Sequence, residues 1–238
     1  MIDVMLDPGH VGRIDPGAIG AAGNRESDIN YLVACKVMKI LITQYGLTCA
    51  LSHEGKGLGG KDANEEVMLR AAVVKKCNPK ASVSIHCNSV ADRSAHGIET
   101  YAYKSGMELA ESIQSMLVAA LGLTDRGVKT ASLAMIREPA KIGIPAALVE
   151  MGFISNAAEE KLLWSAAGQD KAAKAIADGI GLFLKAKVIT DHDKPSPWDI
   201  TRQQARDWAM SKGITDGSNP TDPCSREQVW IMLQKLYK

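Results

Sequence analysis

Short apolar runs and long helical stripes alternate along most of this chain. The runs at 2–6, 47–51, 82–87, 98–103, 133–136 and 146–150 have the length and the bounding turn residues of strands. Between them, helical spacing gathers Ile29, Leu32, Val33, Val37, Ile40 and Leu41 on one stripe. A second stripe holds Leu109, Ile113, Met116, Leu117, Ala120 and Leu121, and a third Ala173, Ile176, Ala177, Ile180, Phe183 and Leu184. Residues 61–77 also read as helix, with a less regular stripe. Strands alternating with amphipathic helices predict an α/β fold: a twisted, mostly parallel sheet with helices on both faces. Such a sheet carries its active groups at strand ends and in the loops that follow them.

The pattern stops at KVITDHDKPSPWD (187–199), where charge, two prolines and no periodicity predict a linker after a domain of residues 1–186. Residues 200–238 then predict a small helical unit. Its two helices open on capping boxes, Thr201 with Gln204 and Ser225 with Gln228, and carry Ala205, Trp208 and Ala209, then Val229, Met232, Leu233 and Leu236 on their apolar faces. Two helices of this size enclose no core of their own, so these faces must meet the first domain, another copy of the chain, or a ligand.

Composition narrows the classes of function. A chain of 238 residues, 46% hydrophobic, supports one substantial core and a small appendage. A net charge of +1 and 5% aromatic residues argue against a nucleic-acid grip or an acidic-membrane surface. No apolar run approaches the ~20 residues of a membrane span. Met1 opens directly onto a strand, with no basic n-region, apolar h-region or cleavage site, which predicts synthesis in the cytosol without a leader. Cys35, Cys49, Cys77, Cys87 and Cys224 form no CxxC pair and fall mostly on apolar positions, so they read as small buried thiols rather than a zinc or disulfide framework.

Candidate chemistry lies where the apolar runs end. MIDVMLDPGHVG closes its strand on Asp7, Pro8 and Gly9 and then places His10 in a glycine-rich stretch. A turn histidine alone is commonly a solvated residue, but ASVSIHC also ends on a histidine, His86, followed by Asn88. IPAALVE ends on Glu150, where a buried, unpaired carboxylate would cost several kcal/mol unless it stood at the mouth of a site. Glu26 begins the first long helix, a position the helix dipole alone would favour for an acid. In a parallel sheet these strand ends share one edge. Two imidazoles and a carboxylate match a catalytic zinc site with a position left for water, and a further carboxylate beside it can take the water's proton. His53, His96 and His192 sit in polar loops and read as solvated, and Trp198, Trp208 and Trp230 as packing residues.

The blocks LDPGHVGRIDPGAIG, Glu26, SVSIHCNS, GIETY and IPAALVEMGFISNAAEEKLL, in this order over roughly residues 1–185, resemble the signature blocks of the zinc-dependent N-acetylmuramoyl-L-alanine amidases of the third amidase family. The resemblance implies a peptidoglycan hydrolase that cuts the amide between the lactyl group of N-acetylmuramic acid and L-alanine. It implies His10, Glu26 and His86 as ligands of Zn2+ and Glu150 as the catalytic carboxylate, with Arg70 and Asn88 as supporting residues. Val11 before Gly12 departs from the family's second glycine and implies a slightly altered loop. The tail, with GITDG, a proline loop and SREQ, resembles a single S-layer-homology unit, implying either wall binding or self-association through its helices. With no leader, a phage or prophage endolysin is expected. A zinc peptidase acting on peptidoglycan peptides and an inactive wall-binding protein are the alternatives.

Overall fold

The structure, a computed structural model, describes residues 2–12 and 15–189. The expected linker from residue 190, the S-layer-homology-like unit, His192, Cys224 and the three C-terminal tryptophans lie outside the described residues.

Among the described residues six strands form one sheet in the order β2-β1-β3-β6-β4-β5. These are β1 (Val4–Pro8), β2 (Cys49–Leu51), β3 (Ala81–Asn88), β4 (Ile98–Ala102), β5 (Asp125–Thr130) and β6 (Ala146–Phe153). Every neighbouring pair is parallel except β4 with β6. The expected mostly parallel sheet is therefore present, with β4 and β5 reversed as a pair. Six α-helices among the described residues surround it: α1 (Glu26–Tyr45), α2 (Ala63–Cys77), α3 (Met107–Leu121), α4 (Ala134–Ala140), α5 (Ala157–Trp164) and α6 (Ala166–Phe183).

Alternation along the strands divides the core between the two faces. Val4 and Leu6 of β1, with Val83 and Ile85 of β3, pack into one cluster with Ile29, Val33, Val37 and Leu41 of α1, Ile113 of α3 and Ile176 of α6. Met5 points the other way and joins Ala71 and Val74 of α2 and Met135 of α4. Ile136 of α4 covers Ala146 and Leu148 of β6 on that second face. At ~25 cal/mol per Å2 of apolar surface removed from water, each fully buried Leu or Ile contributes about 1.5–3 kcal/mol before chain entropy is counted. No helix among the described residues is long and apolar enough to cross a membrane.

Several local expectations are corrected. Residues 133–136 open α4 instead of forming a strand, and the fifth strand lies earlier, at Asp125–Thr130. Four consecutive apolar residues fit a helix as well as a strand, whereas β5 is a polar edge strand with no buried residue along it. On α1, Leu32 is exposed and Ile40 only partly buried, so the core stripe is narrower than the spacing suggested. Of the described cysteines, only Cys87 is buried, and Cys35, Cys49 and Cys77 are half-buried; all four are free.

β1 extends past Leu6 because Asp7, fully buried, is a strand residue with partners of its own. Its carboxylate accepts from Arg70 Nη1 (3.0 and 3.1 Å), Ser52 Oγ (2.6 Å) and Ser84 Oγ (2.6 Å). Arg70 also donates to the Pro8 carbonyl (3.1 Å). His53, expected in solvent, is buried and donates from Nε2 to that same carbonyl (2.8 Å), while its Nδ1 accepts from Gly55 N–H (3.1 Å). These contacts hold the backbone that leads into His10.

At the other end of β1, Asp3 Oδ2 accepts from the Thr48 N–H (2.9 Å) and hydroxyl (2.7 Å), and its Oδ1 meets Lys80 Nζ at 2.8 Å. The Lys80 and Thr48 contacts lower the Asp3 pKa to about 2. A depressed carboxylate stabilises the fold above its unfolded pKa and loses that contribution as pH falls through the folded one. Asp3→Asn is expected to cost roughly 0.5–1 kcal/mol at pH 7 once solvent screening is allowed for. In urea titrations that difference should shrink between pH 4 and 2; a difference constant across that window would refute the assignment.

Candidate metal centre and active site

β1, β3 and β6 run parallel and end on one rim of the sheet, while the reversed β4 and β5 begin there. Register lines up a row of side chains across that rim. Pro8 is opposite Ile85, so Gly9 comes beside His86, and its N–H donates to the Ile85 carbonyl (2.8 Å). His86 is opposite Glu150, and Glu150 opposite Glu99. Residues directly opposite share a face with Cβ atoms ~4.5–5.5 Å apart. Glycine is required at position 9: a Cβ there would lie 2.3 Å from the His86 ring.

His10 follows in left-handed backbone, φ 65°, which turns its ring back toward His86. The two rings meet edge-on with centroids 4.9 Å apart. Glu26 arrives at the N-terminus of α1 and is almost wholly buried. Its Oε1 lies 3.2 Å from His10 Nε2 and 3.1 Å from His86 Nδ1, and accepts from Cys87 N–H (3.1 Å). Its Oε2 accepts from Ala18 N–H (2.9 Å). Glu160 of α5 secures the glycine-rich loop before α1, accepting from Ala22 N–H (3.1 Å) and Asn24 Nδ2 (3.0 Å). The structure thus brings His10, Glu26 and His86 together, one ligand atom from each lying within 4.8 Å of the others.

Asp15 completes this arrangement, although sequence reasoning gave it no role. Its carboxylate accepts from His10 Nδ1 (2.7 Å), which fixes the ring and leaves Nε2 facing Glu26. Burial alone would lower the His10 pKa, but hydrogen bonds and charge from Glu26 and Asp15 overcome it and raise the value to about 9. Burial opposes ionisation of Glu26 too, yet the two imidazoles hold its carboxyl well below the usual range. Glu150 differs: burial raises it to about 7, with the His86 charge opposing and the Glu26 and Glu99 charges adding to the rise. Its Oε2 is buried and has no hydrogen-bond partner among the described residues.

The two supporting candidates separate. Arg70 is buried beneath the rim and bonds to Asp7 and Pro8, so it acts on the backbone before His10. Asn88 donates from Nδ2 to Glu99 Oε1 (2.6 Å), within a polar cluster at β4 and β5 that GIETY alone does not disclose. Glu99 Oε1 also accepts from the Tyr101 hydroxyl (2.6 Å), and Oε2 pairs with Arg126 Nε (2.8 Å) and Lys129 Nζ. Toward the β2 edge, a groove of about 480 Å3 opens beside His10, walled by Tyr31, Leu32 and Trp164 and carrying Asp28, Glu54 and Lys56. His96 is exposed in its loop, as expected.

Comparison with known proteins covers the same residues. The family profile described as N-acetylmuramoyl-L-alanine amidase matches residues 4–181. The chain is 36% identical over 188 residues to an uncharacterised cell wall amidase of Bacillus anthracis, a match covering 74% of this chain and 34% of that protein. It is 36% identical over 181 residues to the N-acetylmuramoyl-L-alanine amidase LytC of Bacillus subtilis, with the same coverages of 74% and 34%. The aligned part is therefore about a third of the length of each of these relatives. Among solved structures, the catalytic domain of CwlV, an N-acetylmuramoyl-L-alanine amidase from Bacillus (Paenibacillus) polymyxa var. colistinus, superposes with a TM-score of 0.69. That pair is 34% identical, covering 79% of this chain and 100% of that one.

Proposed function

The chain belongs to the N-acetylmuramoyl-L-alanine amidase family, and from that membership we propose that it hydrolyses the amide joining the lactyl group of N-acetylmuramic acid to L-alanine in peptidoglycan. The observation that carries this reading is the meeting of His10 Nε2, Glu26 Oε1 and His86 Nδ1 beside the unpartnered Oε2 of Glu150.

Two imidazole nitrogens and one carboxylate oxygen are the donors a catalytic zinc ion takes, so the residues present fit the ion the family implies. His10, Glu26 and His86 would hold it. When bound, zinc lowers the pKa of water toward ~7 and polarises a carbonyl. Asp15 keeps the His10 ring turned for ligation, and the buried position of Glu26 excludes competing solvent. Glu150 takes the proton of the attacking water on its carboxylate and returns it to the departing nitrogen of L-alanine. A carboxyl raised to about 7 is suited to both transfers near neutral pH. Glu150 also stands opposite both His86 and Glu99 in the strand register, within reach of a substrate laid along the rim.

Digestion of purified cell wall tests this reading. New lactyl carboxylates and new N-terminal L-alanine are expected, lost on adding a strong chelator and restored by zinc. A cut inside the peptide would make the protein a peptidase instead, and chelator-resistant cleavage would remove the metal from the account.

A further inference from the structure

The row through the catalytic rim continues beyond Glu150. Glu99 is directly opposite Glu150, Tyr101 shares its face two residues on, and Lys129 is opposite Tyr101. Arg126 reaches the same carboxylate from the start of β5, the open edge of the sheet. The Glu99 carboxylate, with the carboxyl of Glu150 directly opposite it, thus faces two cations. The pair is neither buried nor free in solvent: the side chains are 37% and 39% exposed. The Arg126 guanidinium lies 4.9 Å from the Phe153 ring centroid and the Lys129 ammonium 5.8 Å from that of Tyr101, so aromatic faces fix both heads. Arg126 spends Nε on Glu99 and Nη1 on the His96 carbonyl (3.4 Å), and Nη2 has no partner among the described residues.

The groove on the opposite side of the metal centre has a different character. Among the described residues it presents Asp28 and Glu54 against Lys56, with aromatic and apolar walls from Tyr31, Leu32 and Trp164. That surface suits a neutral, hydroxyl-bearing sugar and disfavours an anion. The two sides of the scissile amide differ in the same sense, since a sugar lies on one side and a peptide bearing carboxylates on the other.

We propose that Arg126 and Lys129 form a carboxylate subsite for the stem peptide, so that the substrate lies with its peptide toward β5 and its sugar toward β2. The proposal rests on the amidase reading. Its distances are consistent: neighbouring strands are ~4.8 Å apart, so β5 lies roughly 10 Å from Glu150, and a peptide spans at most ~3.5 Å per residue. The carboxylate bound there belongs to the D-glutamyl residue that follows the L-alanine.

Two soluble substrates test it: N-acetylmuramoyl-L-alanyl-D-glutamate and its diamide. The wild-type protein should favour the carboxylate form by about fivefold to tenfold in kcat/KM, chiefly through KM. Arg126→Gln and Lys129→Gln should each bring that ratio close to one, and Arg126→Lys should keep most of it. No preference in the wild type, or equal slowing of both substrates by the neutral variants, would overturn the subsite. If the wild type cleaves neither substrate, the wall digestion above decides the amidase reading. Titration of L-alanyl-D-glutamate against its diamide then decides the subsite: tighter carboxylate binding that Arg126→Gln abolishes supports it, and equal binding overturns it.

Discussion

Glu150→Gln is expected to slow amide hydrolysis by about 10²–10⁴-fold, the range lost when a positioned general acid–base is removed. Glutamine keeps the shape of the side chain and the β6 pairing with His86 and Glu99. Only the capacity to accept and return a proton is lost. Because Glu150 is outside the cluster of His10, Glu26 and His86, the variant should still take up one zinc ion per chain, measurable by mass spectrometry of the metal-loaded protein. Loss of metal together with activity would place Glu150 among the ligands instead. Full activity would remove it from the chemistry.

Arg70→Ala should be the most damaging single change to stability away from the metal centre, costing about 3–5 kcal/mol. The substitution leaves the fully buried Asp7 carboxylate without its cation, with the hydroxyls of Ser52 and Ser84 as its remaining side-chain partners. A double variant, Asp7→Asn with Arg70→Met, removes both charges together and should recover a large part of the loss. Chemical denaturation of the three proteins decides the matter. Recovery in the double variant identifies the stranded charge as the cause, whereas an Arg70→Ala cost below ~1 kcal/mol would mean that water or a shifted side chain solvates Asp7. Zinc affinity should fall in parallel, since Arg70 and His53 both grip the Pro8 carbonyl two residues before His10.

The parts of this molecule legible in its sequence are those where burial imposes a period. β3 and β6 carry long apolar or small runs covered on both faces, so the runs leading to His86 and Glu150 could be read directly, although β3 continues to Asn88 and β6 to Phe153. β5 was illegible because an edge strand with half-wet residues needs no apolar pattern, and LAMI drew the assignment to what is the start of α4. Asp7 resembled a turn residue because Asp-Pro-Gly is a turn signal; its buried partner Arg70, distant in sequence, holds it as a strand residue. The same limit applies at the site. His10, Glu26, His86 and Glu150 stand where apolar runs or helices begin and end, so topology alone suggests their meeting. Asp15 and the cluster of Glu99, Arg126 and Lys129 owe their roles to register and loop closure, which leave no local trace.

The reversal of β4 and β5 has a consequence for how such a protein can be remodelled. With those two strands turned over, the stretches preceding them, 89–97 and 122–124, border the same rim as the stretches following β1, β2, β3 and β6. Among the described residues the opposite rim holds the short stretches 46–48, 78–80, 103–106, 131–133 and 141–145, with residues 2–3 and the stretch around Ile189 beside the first of them. Lengthening a turn there should leave hydrolysis intact, whereas grafts at 89–97 or 122–124 would reshape the wall beside the proposed carboxylate subsite. Insertional libraries and permuted termini therefore have a safe pole and a specificity-tuning pole, set by strand direction alone.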